Sequence, residues 1–313
     1  MSDHPAWPAI PYPAWKDACA TLQLWTQIAG KVRSAATPWL NHGWQVPLYV
    51  SARGLSTGPV HFGERIADLE FDFISHQLVI RTGEGALLHL PLQPQSVADF
   101  NAALKGALER LGLSVRIVGV PNEVADPTPF ADDHAHCSYD PDAVHRFWRA
   151  LVQVDRVFKK FRTGFLGKAS PVHFFWGSFD LAVTRFSGRR APLHPGGVPG
   201  LPDPVTREAY SHEVSSAGFW PGGGPIDYPA FYSYAYPGPE GFKDAFVQPA
   251  EARFDSTLGE FLLPYDAVRS AADPDAALLA FLQSTYDAAA VLGGWDRAAL
   301  ECGLGEPGVV RAV

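Results

Sequence analysis

Cysteine is scarce in this chain: Cys19, Cys137 and Cys302 are the three in 313 residues, far apart and never paired as C-x-x-C. That excludes a disulfide framework and a zinc–thiolate centre, and it fits a reducing compartment. Basic residues are outnumbered, 25 Lys and Arg against 33 Asp and Glu, for a net charge of −8. A nucleic-acid partner needs a basic footprint and is therefore not expected. The short run Lys159, Lys160, Arg162 reads as a solvated helix face. No apolar run approaches the roughly 20 residues of a membrane span. The opening HPAWPAIPYPAW is broken by proline and lacks the apolar core of a signal peptide. The expectation is a soluble, cytoplasmic protein with no membrane partner. A P-loop, a G-x-G-x-x-G after a strand and a G-x-S-x-G elbow are also missing, which removes three common catalytic frames.

What the chain has in quantity is aromatic side chains, 9 Trp, 20 Phe and 10 Tyr, within a composition that is 47% apolar and 19% charged. This is a globular composition, with enough rings for a large core or an aromatic-walled pocket.

One unit occurs twice. Asn41–Gly58 reads NHGWQVPLYVSARGLSTG and Val172–Arg189 reads VHFFWGSFDLAVTRFSGR. Aligned without gaps, His42 falls on His173 and Val50 on Leu181. The first copy is mostly apolar, whereas the second carries Ser178, Asp180, Thr184 and Arg185. One half is expected to scaffold and the other to carry the chemistry.

Periodicity orders the rest. After a proline-rich arm at 1–15, Lys16 to Ala36 places Leu22, Trp25, Ile28, Ala29 and Val32 at helical spacing. Strands are expected at 44–52, 68–74, 77–82 and 86–90, then a helix from Ser96 to Leu111 stopped by Gly112, then a short strand at 115–118. Residues 121–139 read as a linker. A third helix, opening the second half, starts at Asp140-Pro141, with an N-cap and a proline at N1. It gathers Phe147, Leu151, Val154, Phe158 and Phe161 on one side. Strands follow at 173–186, 209–217 and 230–236, and Phe261–Pro264 precedes a helix at 275–292. The fold class is α+β. Internally duplicated helix–antiparallel strands–helix units, 16–120 and 140–313, would share or pair sheets with helices on one face.

Alternation along 173–186 sets His173, Phe175, Phe179, Leu181 and Val183 on an apolar face, and Trp176, Ser178, Asp180 and Thr184 on a polar one. A carboxylate between Phe179 and Leu181 needs water or a partner. On the strand 209–217, Glu213 shares a face with Ser211 and Ser215. If the strands pair in register, Asp180 and Glu213 approach, and one of the two is pushed towards the protonated state. An arginine such as Arg185 neutralising them is the plainer alternative. His173 and His212 carry apolar parity, so they converge on Asp180 only through a bulge, for which Gly177 is the site. A divalent metal on these histidines and carboxylates is one cofactor option. Trp220, beside Pro221 and three glycines, fits either a lid over the polar face or an ordinary surface loop with a packed aromatic.

The blocks SPVHFFWGSFDLAVTRFSGR, HPGGVPG, AYSHEVSSAGFWPGGG and LWTQIAGKVR…TPWLNH resemble a family catalogued as domain of unknown function 5996. The resemblance covers almost the whole chain, and it implies membership without an activity or a functional residue.

The leading expectation is therefore a small-molecule enzyme, hydrolytic by default. Asp180, Glu213, His212 and His173 would be catalytic, with Trp176, Ser178, Thr184, Arg185 and Trp220 holding the substrate. A non-catalytic binding protein using the same face is the alternative, and an assembly protein using the arm and open sheet is the third.

Overall fold

A computed structural model describes residues 6–311 of the chain. The helices stand where spacing and capping put them. Helix α1 (Lys16–Ala36) buries Leu22, Trp25, Ile28, Ala29 and Val32, the stripe expected from the sequence. Helix α2 (Val97–Arg110) starts on Ser96, whose hydroxyl accepts from Asp99 N at 3.0 Å. Helix α3 (Pro141–Thr163) starts on Asp140, which accepts from Ala143 N at 3.0 Å, with Pro141 in its first turn. Its side bearing Phe147, Leu151, Val154, Phe158 and Phe161 is fully covered. Each such side chain contributes about 1.5–3 kcal/mol of burial, far more than any one cap.

Between these helices run β1 (Tyr49–Val50), β2 (Gly54–Ser56), β3 (Val60–Phe62), β4 (Arg65–Asp72), β5 (Gln77–Thr82) and β6 (Leu87–Pro91). They form an antiparallel sheet in the order β1-β2-β4-β5-β6, with β3 also on β4. After α3 come β7 (His173–Phe175), β8 (Asp180–Arg190), α4 (Asp203–Ala209), β9 (His212–Trp220), β10 (Ala230–Tyr236), β11 (Arg253–Asp255) and β12 (Glu260–Pro264). Their sheet runs β11-β12-β10-β9-β8-β7 and is antiparallel throughout. Helices α5 (Tyr265–Arg269), α6 (Pro274–Leu292) and α7 (Arg297–Leu300) close the chain. The protein is thus α+β. The two sheets touch at their first strands, where Leu48 and Phe174 exchange backbone hydrogen bonds of 2.9 Å each way.

Three expectations change. Residues 173–186 are not one strand but two, folded back through a turn at Trp176–Phe179, with Phe179 in the left-handed region at φ 58°. Residues 115–118 pair with no strand. The strand placed at 209–217 begins at His212, because Asp203–Ala209 winds into α4 with Pro204 in its first turn. The duplicated segments also shift: His42 lies in a 3-10 turn (Asn41–Gly43) and His173 in a strand, so the gapless alignment does not match element to element.

The arm is part of the body in its described portion. Trp7 lies 6.0 Å from the Tyr265 ring, Tyr265 donates to Pro8 O at 2.9 Å, and Trp15 lies 5.2 Å from Phe147.

The second sheet has two unlike faces. Leu181, Val183, Ala217, Phe219, Phe231, Phe261 and Leu263 belong to the main core, which also takes in buried side chains of α3 and α6. The opposite face presents Asp180, Ala182, Thr184 and Phe186 from β8, Val214 and Ser216 from β9, and Tyr232 and Tyr234 from β10. That face is the floor of a cavity.

Candidate functional site

The cavity has a volume of about 640 Å³, inside the range of small-molecule sites. One wall comes from the end of α1 and the turn after it, including Lys31, Trp39, His42 and Trp44. A second comes from the irregular segment 116–123, and a third from α4 and its approach, with Leu201, Val205 and Tyr210. The site therefore draws on both halves of the chain.

Two glycines let its walls come together. The Trp176 indole lies directly on Gly30 of α1, where any Cβ would collide with the ring, and its Nε1–H donates to Val46 O at 2.8 Å. The Tyr232 ring lies across Gly218 of β9, again in the space of a Cβ. Lacking a side chain there, β9 leaves Tyr232 of β10 free to reach over it to β8. The Tyr232 hydroxyl donates to Asp180 Oδ2 while the Ser178 hydroxyl donates to Oδ1.

Asp180 is 3% exposed and forms no ion pair among the described residues. Burial raises its pKa from 3.8 to about 6 against the opposing pull of Ser178 and Tyr232. Glu123 lines the same cavity, its carboxyl against the Gly177 backbone. Burial first, and the Asp180 charge second, raise it to about 7. Glu260, on the Tyr232 face of β12, is raised to about 8 by burial, then by Asp180 and Asp255. Tyr232 itself is held well above its ordinary value by burial and by Asp180. Further along the floor, Thr184 and Ser216 hydroxyls meet at 2.8 Å and those of Tyr210 and Tyr234 at 2.9 Å.

The cations of the cavity stand apart from these carboxyls. Lys31 donates to Asn122 Oδ1 and lies 5.5 Å from the Trp176 ring centroid, and burial lowers it to about 8. Arg116 lines the wall while largely exposed. On the wall after α1, His42 Nδ1–H donates to Ala209 O at 3.1 Å, which leaves Nε2 to accept from Lys168 Nζ at 2.6 Å. Burial and then Lys168 lower the His42 pKa. Trp39 Nε1–H donates to Glu208 at 3.0 Å, so α4 is latched to the turn after α1 at two points.

Of the residues singled out from the sequence, Asp180, Trp176, Ser178 and Thr184 all line this cavity. The others lie elsewhere. Glu213 does not approach Asp180: Thr184 pairs with Ser216 and Phe186 with Val214, so odd positions of β9 face away. Glu213 instead accepts from Ser187 at 2.8 Å and from Arg189 at 2.7 Å. Arg185 is on the covered face too, 1% exposed, its guanidinium 3.5 Å from the Phe161 ring centroid and 4.3 Å from that of Tyr286. It neutralises neither carboxyl.

The hairpin turn reverses the parity expected for His173. It sits opposite Ala182, on the Asp180 face, yet is packed under Tyr49, its Nε2 3.4 Å from that hydroxyl. Burial, then Arg33 and Arg162, lower it to about 3, so it is neutral. His212 lies beyond the cavity, its Nδ1 3.0 Å from Ser211 Oγ. The Trp220 ring lies tilted against that of Tyr232, centroids 4.4 Å apart, and Gly222 and Gly223 pack on Tyr12, so that loop is no lid over the cavity. No three His, Cys, Asp or Glu side chains among the described residues are gathered as a metal site.

No sequence signal marks Glu123, Lys31 or Trp44 as part of the site. Glu123 lay in a segment read as linker, and its positive φ of 54° leaves no mark in composition. Tyr232 alternates with Tyr234 and Tyr236 along its strand, a pattern that fits a core or a pocket and carries no sign of what the hydroxyl reaches.

No curated protein and no solved structure matches the chain. A family match covers residues 7–302, nearly the full length, and its description is a family of unknown function. The chain belongs to that family, DUF5996.

Proposed function

We propose that the cavity binds a small organic molecule and that Asp180 and Glu123 perform acid–base chemistry on it. The observation that supports this most is a pair of desolvated carboxyls on one cavity, raised to about 6 and about 7. Groups that titrate near neutrality can both give and take a proton at working pH. Two carboxyls with staggered values divide the roles. Asp180, the lower, is the base. Glu123, the higher, is the acid.

Ser178 and Tyr232 orient the Asp180 carboxyl, and the hydroxyls of Thr184, Ser216 and Tyr210 supply polar contacts along the floor. Trp176 and Trp44 provide the apolar walls. Hydrolysis of a polar or ring-bearing metabolite fits such a pair, one carboxyl activating water while the other protonates the leaving group. A cytoplasmic setting accords with three free cysteines. The reading also treats the two sheets as duplicated units with the long helices on one face of each. Leaving out β3 and β11, the order β1-β2-β4-β5-β6 parallels β7-β8-β9-β10-β12, which supports it.

Incubation with a metabolite panel followed by mass spectrometry tests the catalytic role. Product formed by the wild type and abolished in folded Asp180→Asn and Glu123→Gln supports it, whereas turnover at the wild-type rate in both variants refutes it. The rings on the cavity, among them Trp39, Trp44, Trp176 and Phe186, favour a second reading, in which the cavity holds its ligand without chemistry. Thermal stabilisation by a ligand recovered unchanged would mark that case.

A further inference from the structure

The floor of the cavity holds a negative group that the protein leaves without a counter-charge. Asp180 is almost wholly buried, and its two hydrogen-bond donors, Ser178 and Tyr232, are neutral hydroxyls. Glu123 faces the same space, and no described side chain donates to its carboxyl. Neither of the two positive side chains on the walls pairs with these acids. Lys31 is engaged with Asn122 and the Trp176 ring, and Arg116 is exposed and in no ion pair with either acid. Buried carboxylates are ordinarily paired. Here a pairing cation is missing beside open space large enough to admit one.

The surroundings fit an organic cation better than an inorganic one. A hard metal ion takes six or more oxygens, and the described residues gather no such set. Rings, by contrast, are abundant around Asp180. Phe175 is its cross-strand neighbour on β7, Tyr232 lies against it, and Trp176 begins the turn that carries Ser178. Aromatic faces beside a carboxylate are the surroundings that hold alkylammonium groups. Trp44 and Phe186 extend the apolar wall beyond this point for a body attached to the charge.

We infer that the ligand of this cavity carries a protonated amino group, seated between Asp180 and Glu123 against the rings of Phe175, Trp176 and Tyr232. The inference rests on the small-molecule reading above and adds the charge class of the ligand. A bound ammonium gives both acids the counter-ion the fold withholds. It donates three hydrogen bonds to carboxylates that line the space.

The test uses the full chain and three probes with one body: phenethylamine, 2-phenylethanol and 3-phenylpropionate. Each is titrated calorimetrically at pH 8, where both acids are ionised. The expected result is saturable binding of phenethylamine at least tenfold tighter than either other probe, weakened at least tenfold by Glu123→Gln and further by Asp180→Asn. Glu123 lies in an irregular segment, so its variant keeps the test independent of whether Asp180→Asn folds. Equal or tighter binding of the alcohol or the carboxylate overturns the charge class while leaving the small-molecule site standing. Amine binding unchanged in Glu123→Gln and Asp180→Asn overturns the placement. Binding of none of the three overturns the inference and counts against the site itself.

Discussion

The Tyr232 hydroxyl reaches Asp180 by crossing the full width of β9, over a position, Gly218, that has no side chain to stop it. This contact ties β10 to β8 across the strand between them. It sets the Asp180 carboxyl on the cavity floor while sparing it a charged partner. The rest of the account depends on that arrangement, and it can be probed from several sides.

Asp180→Asn is expected to stabilise the free protein at high pH. Asp180 titrates higher in the folded chain than in the unfolded one, about 6 against 3.8. The folded state therefore holds the proton more tightly, and stability falls as pH rises from about 4 to about 6. Glu123 and Glu260 extend the same decline to about 7 and about 8. Asparagine removes the Asp180 share, on the order of 2–3 kcal/mol above pH 6. Thermal unfolding should show the variant several degrees above wild type at pH 8 and level with it at pH 4. A variant less stable at pH 8 would contradict this.

Tyr232→Phe removes a donor that favours the ionised carboxyl, so the Asp180 titration should move upward. The phenol oxygen is also lost from a buried bond, at a cost of about 1–2 kcal/mol. The Asp180 share of the decline should move to higher pH, measured as the difference between Tyr232→Phe with and without Asp180→Asn in denaturant titrations across pH 5 to pH 8. No movement would mean that the hydroxyl does not hold the carboxylate.

Gly218→Ala places a methyl group in the space of the Tyr232 ring, and Gly30→Ala does the same to Trp176. Overpacking of this kind costs about 1–3 kcal/mol. Both variants should unfold at lower urea and should lose the ligand that the wild type binds. Wild-type stability in both would show that the two walls are less closely fitted than described.

Glu213→Gln separates this site from the one the sequence pointed to. The Glu213–Arg189 pair lies on the other face of β9 with Arg189 half exposed, and such pairs contribute roughly 0–1 kcal/mol. Ligand binding and turnover should be unchanged. Arg185→Ala should instead cost several kcal/mol, because the guanidinium fills a ring-lined space against Phe161 and Tyr286. Loss of turnover in a stable Glu213→Gln would restore the carboxylate pair first expected.

Helix positions were legible because their signals are local. Asp140-Pro141 and Ser96 act within one turn, and the stripe of α1 repeats within its own length. Asp180 and Thr184 on one face of β8 were legible for the same reason, since alternation is a property of one strand, whereas Ser178 joins them from the turn before it. What failed was pairing. The register that sends Glu213 away from Asp180 is set between strands, and the turn at Trp176–Phe179 that reverses His173 depends on backbone conformation. Glu123 reaches the site from a segment with no periodicity at all, carried there by tertiary packing against Gly177 and Gly200.

The most direct test of the central claim is the titration of the Asp180 side-chain carboxyl in the free protein. Its ¹³C resonance would be assigned by comparison with Asp180→Asn. The account predicts a midpoint near pH 6, from a carboxyl desolvated beside open space with hydroxyls as its donors. A midpoint at or below the ordinary aspartate value of about 4 would show a carboxylate already paired within the fold, and the cavity would lose its acid–base centre.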